Sequence, residues 1–218
     1  MDVRSTEGYL EQVRTMFNRS PWARFLGQDT VTAERGLVTV ELPIGRHLFN
    51  TAGDVHPGAI ATIADTALAA AVATAANPGD FLTTADLALY TARPTRAGRL
   101  RATGRVREQE GSFAVGDLLV EEVETGAVVA VGTSGYAVKA GAGMMGMVQE
   151  FELPLHRWDE VADVQAPYDA LTGAEVAEGD AEHAVVRMPV ALYHINGGRV
   201  VHGGVMASLA YIAADAVL

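Results

Sequence analysis

One carboxylate stands alone in the most apolar stretch of this chain. Asp65 is the only charged residue between His56 and Asp80, in a run of alanine, threonine, isoleucine and valine. A carboxylate taken out of water is costly unless it is paired or hydrogen-bonded. A residue of this kind either bonds neighbouring backbone as a structural cap or acts as a general base or nucleophile. Just before it, Asn50, His56 and Pro57 lie in a loop that leads into a helix start. Far along the chain, Asn196, His202 and Gly203 repeat the same spacing. A helix start presents free N–H groups and the positive end of the helix dipole. Gly203 keeps its N–H there, whereas Pro57 has none to offer.

The recurrence extends beyond these residues. At a fixed offset of 146 residues, Pro21 maps onto Pro167, Gly27 onto Gly173, Pro43 onto Pro189, Val55 onto Val201, Gly58 onto Gly204 and Ala61 onto Ala207, with no gap. Such matches mean one structural unit used twice. The copies differ where chemistry is at stake: Asp65 is replaced by Tyr211, and Pro57 by Gly203.

The helix that must carry Asp65 runs over 58–76 and stops at Asn77-Pro78-Gly79. It is about long enough to span a bilayer. Its alanines and threonines, the central Asp65 and the lack of a basic flank fit a helix buried on all sides of a soluble core instead. Upstream, 6–18 reads as an amphipathic helix with Leu10, Val13, Met16 and Phe17 on one face, and 37–43 alternates like a strand. Downstream, 81–91, 99–109, 113–123 and 127–138 read as four antiparallel strands, with turns at Gly111-Ser112 and Glu124-Thr125-Gly126. Residues 140–166 read as a linker, whose methionines could fill a groove. A second strand at 183–189 and a helix from about Gly204 follow. The expected organisation is a first unit over 1–139, a linker over 140–166 and the first half of a second unit over 167–218. The four strands that should come next are missing, so the sequence reads as a fragment or truncated form of a longer tandem protein.

Composition bounds the function. The 49% apolar and 20% charged content is that of a globular protein with a substantial core. A formal charge of −11 and a pI near 4.9 argue against nucleic acid and against an anionic membrane as partners. The absence of cysteine excludes disulfides, thiolate catalysis and cysteine metal sites. The six histidines, at 47, 56, 156, 183, 194 and 202, show no metal-ligand spacing, so no metal is expected. The N-terminus has no apolar signal core, which reads as a cytoplasmic protein.

A long helix wrapped by an antiparallel sheet is the hotdog arrangement, an α+β fold. The pattern Asn50-x5-His56-Pro57-Gly58-x6-Asp65, followed by Thr84-x-Asp86-Leu87-x2-Tyr90-x2-Arg93-Pro94, resembles the phenylacetyl-CoA and 4-hydroxybenzoyl-CoA thioesterase-like hotdog family. The resemblance covers 20–139 as a whole unit and 167–218 as a first half. The dehydratase branch of hotdog proteins fits less well, because no glutamate occurs between His56 and residue 90.

The resemblance implies an acyl-CoA thioesterase in which Asp65 is general base or nucleophile and the only cofactor is the CoA of the substrate. A catalytically silent acyl or CoA-ester-binding module is the alternative; a purely structural partner half is a third reading. In the family, the Gly203 position donates to the oxyanion, the histidine orients the thioester, the asparagine holds substrate or water, and the Thr84 position faces the carboxylate. From the residues alone, the two asparagines are ordinary turn residues, the histidines loop-fixing groups and Thr84 a strand filler. Arg93, Arg96 and Arg99 form a basic cluster that could bind CoA phosphates bidentately; otherwise it is a solvated strand end.

Sites of this family resemble one another in being built across a two-fold. Two complementary sets follow. Asp65 and Thr84 would face Asn196, His202 and Gly203, a complete set. Asn50, His56 and Pro57 would face Tyr211, a degenerate set without carboxylate or first backbone donor. One working site per tandem chain is expected, in an intramolecular pseudo-dimer or a homo-oligomer. A chain that instead paired through its first copies would join Asp65 to Pro57 and be weak or inactive.

Overall fold

The structure is a computed structural model that describes residues 2–142 and 152–217. Helix α1 (Glu7–Asn18) is capped by Thr6, whose hydroxyl accepts from the Tyr9 amide. A short helix α2 (Pro21–Leu26) starts on proline and ends at Gly27, whose φ of 85° needs glycine. Strands β1 (Asp29–Glu34) and β2 (Leu37–Pro43) form a hairpin. The long helix α3 (Pro57–Ala75) follows, then β3 (Phe81–Thr91), β4 (Arg99–Glu110), β5 (Phe113–Glu122) and β6 (Val128–Lys139). The six strands form one antiparallel sheet in the order β1-β2-β4-β5-β6-β3.

The sheet curls around α3. Val38, Val40 and Leu42 of β2, Leu100 and Ala102 of β4, Ala114 and Val120 of β5 and Ala130 of β6 are fully buried, as are Ala59, Ile63, Ala64, Ala67, Leu68 and Ala71 of the helix. Small helix side chains let the backbones approach. At Gly104 a Cβ would stand 2.4 Å from the Leu68 amide nitrogen, so only glycine fits beneath the helix. The helix is long and apolar enough to cross a bilayer, and nearly all of it is buried inside the protein. This is the hotdog fold, and the expected helix and the strands at 37–43, 81–91, 99–109, 113–123 and 127–138 occur within one residue at each end. Strand β1 and the short helices escape a pattern reading, because β1 is polar and only Thr30 on it is buried.

The second copy is smaller. Helix α4 (Arg157–Val161) precedes it; Trp158 stacks on His47 at 4.2 Å and donates its indole N–H to the Phe25 carbonyl. The linker methionines Met144, Met145 and Met147, which could fill a groove, lie outside the described residues. Helix α5 (Pro167–Thr172), strands β7 (Glu175–Gly179) and β8 (Ala184–Arg187) and helix α6 (Gly203–Asp215) then repeat α2, β1, β2 and α3. The detail is reproduced: Gly173 closes α5 at φ 69°, as Gly27 closes α2, and the bridge Phe49–Val55 recurs as Ile195–Val201. Strand β8 is shorter than the expected 183–189, since it pairs only with β7 whereas β2 is held on both sides.

The two copies meet about a pseudo-two-fold. The Tyr168 amide donates to the Phe49 carbonyl, and the equivalent Trp22 amide donates to the equivalent Ile195 carbonyl. Helices α3 and α6 cross where Gly204 lies against Thr62 and, reciprocally, Gly58 lies against Ser208. Such exchange of equivalent contacts is what an isologous interface requires.

Candidate active site

Asp65 lies midway along α3, 2% exposed. Its two oxygens have different surroundings. Oδ1 accepts a hydrogen bond from the Thr84 hydroxyl at 2.8 Å and another from the Tyr136 hydroxyl at 2.8 Å. Thr84 and Tyr136 are register partners on β3 and β6, so one cross-strand pair supplies both donors. A bulge in β3 between Thr84 and Asp86 sets where this pair points. Burial, reinforced by the nearby carboxylate, pushes the Tyr136 phenol well above its usual value, so it stays a protonated donor. Tyr136 was not among the sequence candidates. Its position depends on strand pairing, which a tyrosine in a strand does not announce.

Oδ2 faces the second copy. A Cβ built on Gly203 would stand 2.7 Å from Asp65 Oδ2 and 2.7 Å from Thr84 Oγ1, so a side chain here would displace the carboxylate or its hydroxyl partner. His202 caps α6: its Nδ1 accepts from the Gly204 amide at 3.0 Å. Its Nε2 lies 3.4 Å from the Thr66 hydroxyl, which itself donates to the Thr62 carbonyl and therefore can accept. The proton of the ring thus belongs on Nε2. The 3.4 Å approach of Nδ1 to Asp65 Oδ2 is then a contact between two acceptors, not a salt bridge. Burial holds the imidazole below its ordinary value against the opposing pull of Asp65, so it is neutral.

This cap has a consequence for the helix start. The Gly204 amide is taken by His202 Nδ1, and the Val205 and Met206 amides by the His202 carbonyl. Among the described residues, the Gly203 amide alone of this first turn has no partner. Gly203 is half-buried and lines the same pocket as Asp65. Asn196 lines it too; its side-chain carbonyl accepts from the Gly198 amide at 2.8 Å, which leaves its NH₂ group for a ligand. The loop turns through Arg199, held at φ 60° where the first copy has Gly53 at φ 76°.

The pocket is a small cleft of about 50 Å³. Asp65, Thr84, Tyr136, Asn196, His202 and Gly203 line it together with Ser20 and the apolar Met16, Phe17, Ala69 and Leu82. Thus the structure brings the carboxylate and hydroxyl of the first copy to the loop and helix start of the second. The reciprocal group has a different character. His56 again caps its helix, accepting from Gly58 at 2.9 Å, but its ring is stacked on Tyr168 at 4.6 Å. Its Nε2 lies 3.3 Å from Asp169 Oδ1, which has no hydrogen-bond partner. Pro57 begins α3, Tyr211 occupies the Asp65-equivalent place on α6 and is half-buried, and the Asn50 side chain closes its own turn through the Ala52 and Asp54 amides.

Arg93, Arg96 and Arg99 are exposed and do not line the pocket. Arg96 pairs with Asp54, and Arg99 with Glu41 at 3.1 Å and Glu124 at 3.6 Å. Among the described residues, no three His, Asp or Glu side chains gather as a metal site would need.

Comparison with known proteins supports the hotdog fold. Residues 52–129 match the thioesterase superfamily. Among solved structures, the chain is similar to the E. coli PaaI protein from the phenylacetic acid degradation operon, at 24% identity over 61% of this chain and 94% of that one, with a TM-score of 0.55. It is similar to a thioesterase family protein from Silicibacter pomeroyi at 22% identity, over 61% and 98% of the two chains, with a TM-score of 0.58. A Bordetella protein from the thioesterase superfamily is 29% identical over 60% and 98%, with a TM-score of 0.55. No curated protein matches the chain. The chain is a hotdog-fold protein, and its first copy is similar to the thioesterase superfamily. The second copy, with Asn196, His202 and Gly203, lies outside the matched range of 52–129.

Proposed function

We propose that the chain hydrolyses acyl-CoA thioesters to a carboxylic acid and free CoA, at a single site shared between its two copies. The observation that carries this is the close approach of Asp65 Oδ2 to the Gly203 helix start, both lining one pocket. Thr84 and Tyr136 hold Oδ1, so the other oxygen keeps a fixed direction toward the ligand. A water held by Asp65 Oδ2 and the Asn196 NH₂ gives its proton to the carboxylate as its oxygen attacks the thioester carbonyl. Negative charge then builds on the carbonyl oxygen, where the free Gly203 N–H and the positive end of α6 stabilise it. The C–S bond breaks, and the departing thiolate takes the proton back from Asp65. His202 orients this site by using up the Gly204 amide, so that Gly203 is the donor left facing the ligand.

The nucleophilic variant has Asp65 attack the carbonyl directly and form a mixed anhydride. Single-turnover hydrolysis in H₂¹⁸O would label the Asp65 carboxylate only if that anhydride forms; the general-base route puts the label in the product acid alone. In either case no cofactor takes part beyond the CoA of the substrate. The opposite group, with Pro57 and Tyr211, lacks both the amide donor and the carboxylate, and serves the fold. The test is thiol release over short, long and aromatic acyl-CoAs, by wild type and by Asp65→Asn. Turnover that survives in a folded Asp65→Asn protein would overturn the mechanism. Stabilisation by CoA esters without any thiol release would instead point to a binding module.

A further inference from the structure

Asp65 can act as a base only while its Oδ2 is free to take a proton. The His202 ring is placed to occupy that oxygen. Its Nδ1 lies 3.4 Å from Oδ2, and both side chains are buried. With a proton on Nδ1 the imidazole would donate to the carboxylate; with Nδ1 bare it cannot. The position of one ring proton therefore decides whether the base is available.

Two contacts bear on that proton. The Gly204 amide donates to Nδ1 at 3.0 Å and so favours a bare Nδ1. The Thr66 hydroxyl stands 3.4 Å from Nε2 and gives its own hydrogen to the Thr62 carbonyl at 2.8 Å, so it meets Nε2 as an acceptor. Without that acceptor an Nε2–H would be a buried donor with no partner, which is costly. Moving the proton to Nδ1 would instead gain a charge-assisted bond to Asp65.

This hydroxyl occurs in one copy only. One turn earlier, Thr62 and its equivalent Ser208 both carry a hydroxyl, and each donates to the carbonyl four residues back. The position equivalent to Thr66 is Ile212, and α6 runs through it unbroken, so the helix itself does not need the hydroxyl. On that side of the axis the His56 Nε2 has the Asp169 carboxylate 3.3 Å away. Thr66 thus stands beside the histidine that approaches Asp65, and its counterpart beside no such carboxylate is apolar.

We propose that Thr66 is a positioning residue, which holds the His202 proton on Nε2 and so keeps Asp65 Oδ2 free for the attacking water. This rests on the reading of Asp65 as the base of a thioesterase. Thr66 acts through His202, since it is not among the residues that line the pocket.

The test is the tautomer of His202, read from the ¹⁵N shifts of the labelled ring, whose signals are assigned by their loss in His202→Asn. The wild type should carry its proton on Nε2. Thr66→Val, close in shape but without the hydroxyl, should move the proton to Nδ1. It should also lower kcat about tenfold or more with KM little changed, the scale of one charge-assisted hydrogen bond laid on the base. Thr66→Ser should restore both. Thr66→Ala, which cannot overpack the site, repeats the measurement if the valine variant does not fold. A wild-type ring protonated on Nδ1 would overturn the proposal. So would a hydroxyl-free variant that keeps its proton on Nε2, or one that moves the proton at unchanged kcat. If the wild type hydrolyses no thioester, the thioesterase reading fails separately, and the ring signals of wild type and variants still decide whether Thr66 sets the tautomer.

Discussion

At Asp65 the two carboxylate oxygens have different neighbours, and an amide replacement separates them. Asparagine can keep its carbonyl oxygen on the Thr84 and Tyr136 hydroxyls and place an NH₂ where Oδ2 now stands. Asp65→Asn should therefore fold normally by circular dichroism and lose about a hundredfold or more in turnover, the scale of a lost positioned base. Tyr136→Phe removes one of the two donors to Oδ1. A lost hydrogen bond to a charged group is worth roughly 1.5–3 kcal/mol, so kcat should fall about 10- to 100-fold. A Tyr136→Phe enzyme with wild-type kcat would show that Thr84 alone directs the carboxylate. Asp65 itself was legible in the sequence as a solitary charge in an apolar run. Tyr136 was not, because its role exists only through its register with Thr84.

At the scale of elements, α3 is held by close backbone contact with the sheet. Ala67 is fully buried, and its carbonyl carbon would lie 2.5 Å from a Cβ on Gly104. Ala67→Asp would put an unpaired charge in this layer, at a cost of about 3–5 kcal/mol. For a chain of this size that corresponds to a melting temperature lower by on the order of 10 °C. An unchanged melting temperature would mean that α3 is not the centre of the core. The hydrophobic pattern marked α3 and five of its strands because their periods are strong. It missed β1, a mostly polar strand on which only Thr30 is buried, and α2 and α5, which are too short to show a helical period.

For the whole molecule, the decisive feature is the unequal pseudo-two-fold. Asn196→Ala and His202→Ala should each reduce hydrolysis strongly, by tenfold or more for loss of an orienting group. Asn50→Ala and His56→Ala should lower the melting temperature and leave kcat within a few-fold. The reverse pattern in stably folded variants would mean that the working site lies on the other side of the axis. His56 and His194 are each pulled down to about 4 by burial, so they are neutral in the folded protein. Their folded values lie below the unfolded value near 6.5. The stability they confer is present above pH 6.5 and is lost as pH falls toward 4, by up to roughly 3 kcal/mol for each fully titrated group. Asp169 acts in the opposite sense: burial, helped by Asp215, raises it to about 6, so its contribution is greatest at low pH and declines between about 4 and 6. Thermal melts from pH 7 to pH 4 should show a net fall. His56→Asn, which keeps an acceptor for the Gly58 amide, should make that fall shallower; an unchanged slope would show that His56 does not drive it.

The sequence by itself determined the repeat, the buried helix, the sheet strands and the chemical inequality of the two copies. These are local quantities: periodicity, turn residues and residue identity at a fixed offset. It also paired the two sets of residues, though only through a resemblance to two-fold sites. Tertiary structure alone decided three things. It brought Asp65 against Gly203, because Gly58 and Gly204 let α3 and α6 cross backbone to backbone. It set the Gly203 amide, which the local His202 cap leaves unpartnered, in the same pocket as Asp65. It also gave the Trp22 amide to the Ile195 carbonyl, so the start of α2 is met by the other copy and not by a Ser20 cap. Each depends on contacts between residues more than a hundred positions apart, and no local pattern encodes which amide finds which acceptor.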